Sequence, residues 1–133
     1  MKKHDVLIGA AVAALLLSPL PVLAADAHGE IVTAMTHADL AAKAGDAAGT
    51  KMHLQHALNC LVGPAGQGFD AKALNPCANA GAGAIPDSAD PGAKARLQTV
   101  ATKIAMGMTS TDDKALKSTA TSAASELKVI AGP

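Results

Sequence analysis

The chain has neither tryptophan nor tyrosine, and Phe69 is its single aromatic residue. Proteins that hold bases or sugar rings stack them on aromatic faces, so no such platform exists here. The charge balance closes a second route to nucleic acid. Eleven Lys and Arg stand against eleven Asp and Glu, and a chain so close to neutrality creates no field that recruits a polyanion or an anionic lipid surface. Runs of β-branched and aromatic residues, the usual mark of strands, are also missing. Only two cysteines occur. They form no Cys-x-x-Cys and no Cys-x-x-Cys-His, which removes the common dithiol redox motif and covalent haem attachment. A porphyrin held without covalent bonds would find few aromatic walls.

The signs of catalysis are equally thin. A nucleophile needs a base and an orienting acid beside it, and the one thiol close to histidines, Cys60, is expected to be oxidised. The glycine-rich segments Gly63 to Gly68 and Gly81 to Gly83 do not sit between a strand and a helix, so they read as loop and not as a phosphate cradle. The adjacent carboxylates Asp112 and Asp113 are explained by a helix start. The expectation is a protein that is not an enzyme.

What is present begins with an address. Lys2 and Lys3 are followed by an apolar stretch from Val6 to Leu17, which Ser18-Pro19-Leu20-Pro21 interrupts. A bilayer-spanning helix needs roughly 20 apolar residues. This run is shorter, and small residues at Val22-Leu23-Ala24 supply a cleavage site, with the cut before Ala25 and the position after Ala25 as the near alternative. Residues 1–24 are therefore expected to be a cleavable signal peptide. No twin arginine and no following cysteine are present, so export in the unfolded state without lipid attachment is expected, most naturally to a bacterial periplasm or outside the cell, with no stable membrane anchor after processing.

Residues 25–133 are the length of one domain. Their apolar content is mostly alanine, the strongest helix former. From Glu30 to about Ala48, Ile31, Ala34, Met35, Ala38 and Ala41 recur at helical spacing. A second helix is expected from an N-cap at Thr50, with Leu54, Leu58 and Leu61 on one side, up to Gly63-Pro64. The tight joint makes the two an antiparallel hairpin. A third starts at Asp90-Pro91, where aspartate caps and proline suits the first position, and carries Leu97, Val100, Ala101 and Ile104. A fourth, capped by Ser110 or Thr111, shows Leu116, Ala120, Ala123 and Leu127. The expected architecture is all-α, a small four-helix bundle in up-down-up-down order with a long loop, about residues 63–90, between the second and third of these helices. A loop that long needs a function or a crosslink. In an oxidising compartment Cys60 and Cys77 are expected to bond to each other, closing a loop whose chain entropy is worth about 3 kcal/mol. Phe69 or Leu74 would then cover apolar surface.

Two histidines give the only pattern that suggests chemistry. At about 100° per residue His53 and His56 lie within roughly 60° of each other, away from the Leu54, Leu58 and Leu61 face. Imidazoles three residues apart on a helix can bind one transition metal ion, and neutral histidine suits Cu(II), Zn and Ni. His37 on the preceding helix would lie alongside in a hairpin, and methionines, soft ligands for Cu(I), recur at Met35, Met52, Met106 and Met108. Met35, Met106 and Met108 also read as fillers of an alanine-rich core. Two functions follow as expectations. The first is an exported binding protein for a transition metal, copper first among them, held by His53 and His56 with help from His37 or a methionine. The second is a non-catalytic structural or partner-binding helical module whose disulfide-held loop is the contact surface for a protein of unknown kind.

Overall fold

The computed structural model describes residues 25–133. The signal peptide expected over residues 1–24 lies outside them. Among the described residues the elements are α1 (Ala27–Lys43), α2 (Ala47–Val62), the short α3 (Ala84–Asp87), α4 (Pro91–Gly107) and α5 (Asp113–Ala131), with no strand. No described helix is long and apolar enough to cross a membrane.

Each of the four long helices begins on an aspartate: Asp26, Asp46, Asp90 and Asp112. A carboxylate accepts the free N–H groups of a first turn and answers the positive end of the helix dipole, which a hydroxyl does less well. This accounts for two shifts from the sequence reading. Asp46, not Thr50, caps α2, taking the Gly49 N–H at 2.7 Å. Thr50 is buried and donates back to the Asp46 carbonyl at 3.0 Å. Likewise Asp112 caps α5 in place of Ser110 or Thr111, whereas Asp90-Pro91 starts α4 as expected. α1 is displaced as a whole, starting behind Asp26 and ending at Lys43.

The long helices close a ring in which α1 packs on α2 and α5, and α4 packs on α5 and α2. α1 and α2 are antiparallel, since His37 in α1 faces His53 in α2 while the Glu30 carbonyl lies against Cys77, the partner of Cys60. The core contribution of α1 is mainly small: Ala34, Ala38 and Ala41 are fully buried, against Leu54, Leu58, Leu61, Leu97, Ile104, Leu116 and Leu127 from the other three. Alanine at these positions lets backbones approach closely at the expense of buried area per residue. Met35 and Met108 pack against this core, but Met106 is 69 % exposed and fills nothing.

The loop after α2 is held at several points. Cys60 and Cys77 form a disulfide and both are buried. Beside it, the fully buried Asn59 uses its whole amide: Nδ2 donates to the carbonyls of Asp70 and Leu74, and Oδ1 accepts from the Asp70 N–H and from Gln55 Nε2. Gln55 also donates to the Gly68 carbonyl at 2.9 Å. Phe69 packs against the core, whereas Leu74 remains exposed. At Gly63, φ is 66°, and a Cβ there would run into the Ala82 carbonyl oxygen. Only glycine meets both demands. The close approach brings residues 81–87 back onto the start of α1, where the Asp26 N–H donates to the Ala80 carbonyl at 3.1 Å.

The contact ends on a buried acid. Glu30 is fully buried, its Oε1 accepts the Gly83 N–H at 3.0 Å, and its Oε2 has no partner. Asp87 lies beside it and accepts the Ala82 N–H at 2.7 Å. Burial, and then the charge of Asp87, push the Glu30 carboxyl up to about 7.

Candidate metal centre

His37 lies six residues before the end of α1, and His53 six residues into α2 beyond Ala47. Both stand eight residues from Gly45 in the connecting turn. An antiparallel hairpin therefore sets them at one level, and His56, three residues past His53, shares its face. The three rings form a triangle with centroids 5.7 Å apart for His37 and His53, 5.2 Å for His37 and His56, and 5.6 Å for His53 and His56. His56 stands edge-on to both of the others.

Each histidine offers a ring nitrogen, and all three nitrogens lie within 4.8 Å of one another. The Nδ1 atoms of His37 and His53 are 3.4 Å apart. A tetrahedral ion bound at about 2.0–2.1 Å from imidazole nitrogen separates its ligand atoms by roughly 3.3–3.4 Å, so this pair already has the spacing of two ligands. His56 is only 8 % exposed, and its Nδ1 is buried without a hydrogen-bond partner. An unsatisfied buried nitrogen costs free energy unless something takes its lone pair or its proton.

The electrostatics favour the neutral, ligating form. Burial, followed by the charges that His56 and His53 would carry, holds His37 below the ordinary imidazole value of 6.5. Burial and then His53 do the same for His56. At neutral pH these two rings are uncharged, each keeping one N–H and one nitrogen lone pair that can ligate.

The sequence-derived pair His53 and His56 is thus brought together, and His37 is the third member. The signal for His37 was its mirror position about Gly45, which periodicity along either helix alone does not express. Met35 and Met106 are elsewhere occupied, in packing and in solvent. Cys60 is taken by the disulfide and is unavailable as a thiolate. Apart from this cluster, a surface groove of about 480 Å³ runs along the loop between Val62, Gly66, Ile85, Pro86 and Lys94. Comparison with known protein families, characterised proteins and solved structures finds no match to this chain.

Proposed function

We propose that this is an exported, non-catalytic metal-binding protein whose ion, copper before zinc or nickel, is held by His37, His53 and His56. The observation that carries this reading is the meeting of three ring nitrogens, one from each histidine, within 4.8 Å. Three imidazoles suit copper, zinc and nickel, and among divalent ions of the first row such a site binds Cu(II) most strongly. The buried disulfide belongs in an oxidising compartment, and with the leader expected at residues 1–24 it supports a bacterial periplasmic or secreted protein.

The test is calorimetric titration of the purified protein with Cu(II), Zn(II) and Ni(II). One ion should bind per chain, and His37→Ala and His56→Ala should each weaken binding by at least about tenfold, since each removes a ligand. Binding no tighter than about 100 μM, or unchanged in the variants, would reject the site.

Protons compete with the metal for the same lone pairs, so affinity should fall as pH drops from 7 to 5. Repeating the titration at both pH values checks this, and a flat response would point to methionine ligands in place of imidazole. A second reading, a partner-binding module that uses the disulfide-held loop, draws support from the groove along Val62, Ile85 and Pro86. It expects no metal response, so the same titration separates the two.

A further inference from the structure

Three imidazoles leave a metal ion one donor short of four-coordination. Donor side chains one helical turn from a ring of the cluster are Thr33, Thr50, Met52, Asn59 and Cys60. Thr50 bonds the Asp46 carbonyl, Asn59 is saturated by the loop, and Cys60 is oxidised. Thr33 offers only a neutral hydroxyl, a poor ligand for copper. Met52 alone combines an uncommitted position with a strong donor atom.

Its placement fits. Met52 precedes His56 by four residues on α2, a spacing that sets the two Cβ atoms about 5–6 Å apart. Helical side chains lean toward the N-terminus, so the His56 ring reaches back over the turn that carries Met52. Met52 is 50 % exposed, so core packing does not hold it, and its three rotatable bonds let the thioether swing over the ring edges. Leu40, one turn beyond His37 on α1, is likewise exposed. A thioether is a soft ligand that selects Cu(I), whereas imidazole serves both copper states.

We infer that Met52 is the fourth ligand of the His37, His53 and His56 cluster and enables that site to hold Cu(I) as well as Cu(II). The inference rests on the three-histidine reading above. Its test compares the wild-type protein with Met52→Leu, a change of similar volume at an exposed position. Cu(I) affinity is measured anaerobically by competition with a chromophoric Cu(I) chelator, and Cu(II) and Zn(II) affinities by calorimetry. Cu(I) binding should weaken by about tenfold or more in the variant, with Cu(II) and Zn(II) changed by less than about threefold. X-ray absorption of the Cu(I) protein should show a copper–sulfur shell that the variant lacks. Unchanged Cu(I) affinity, or equal weakening for all three ions, overturns the role of Met52 while leaving the histidine site standing. A wild-type protein that binds none of the ions, or binds them equally well after His56→Ala, overturns the histidine site and this inference with it.

Discussion

Reducing the Cys60–Cys77 disulfide, or replacing both cysteines by serine, is expected to destabilise the protein by about 2 to 4 kcal/mol. The two residues are separated by 17 positions, and freeing a loop of that size returns about 3 kcal/mol of chain entropy to the unfolded state on the polymer estimate. Two features of the fold modify that figure. Cys60 and Cys77 are both buried, so serine hydroxyls would be left in an apolar place and the serine variant should suffer more than the reduced protein. In the other direction, Asn59 and Gln55 still hold Gly68, Asp70 and Leu74 after the crosslink is gone, so the first half of the loop stays docked and the loss concentrates after Leu74. In a domain of this size the effect corresponds to a fall in melting temperature of roughly 10 °C or more. Counting free thiols in protein purified under non-reducing conditions, and melting it with and without reductant, provides the check. Two free thiols, or melting curves that superimpose, would contradict it.

Glu30→Gln should remove a pH dependence that the wild-type protein carries between about pH 4.5 and 7. Folding raises the Glu30 carboxyl from 4.5 to about 7, so across that interval the native state keeps a proton that the unfolded state has released. The contribution of Glu30 is therefore complete below pH 4.5 and is lost as pH rises through about 7. A shift of that size is worth on the order of 3 to 4 kcal/mol. The neutral acid is favoured because Glu30 is fully buried close to the charge of Asp87. An ionised Glu30 would add a second negative charge there. Glutamine copies the protonated acid in shape and charge at every pH. The two proteins should be similar in stability at pH 4.5, and the variant should be the more stable by about 3 to 4 kcal/mol at pH 8. His37 and His56, whose imidazoles folding holds below 6.5, act in the opposite sense, lending stability as pH rises toward 6.5. They do so equally in both proteins, so the difference between them isolates Glu30. Denaturant unfolding at the two pH values measures it, and a difference that does not change with pH would show that Glu30 is ionised throughout.

The buried acid, the loop clamp and the histidine cluster share one property. Each is made by residues remote in sequence that only packing brings together. Glu30 stands next to Ile31 in the apolar stripe of α1, but the groups that raise its pKa and bond it come from Gly83 and Asp87. Asn59 looks in the sequence like a polar residue near a helix end. Its importance depends on where Asp70 and Leu74 return. Met106 suggests a core filler by its apolar character, yet it is exposed, because it stands two residues, about 200°, from the buried Ile104.

By itself the sequence determined the all-helical class, the four long helices and the crosslink, but not the starts of α1, α2 and α5 or the short α3 inside the expected loop. Helices follow from alanine content and apolar spacing, stops from Gly63-Pro64, and starts from capping residues such as Asp90, because these are interactions within one or two turns of chain. The disulfide followed from two cysteines with no other chemistry open to them. Tertiary structure alone decided which histidine completes the triangle, which acid is buried, and how the loop docks. These depend on the angle and register at which α1 meets α2 and the chain after it. That geometry is set by the packing of α1, with its buried Ala34, Ala38 and Ala41, against the leucine-bearing helices α2 and α5, a property of the assembled core that no single segment encodes.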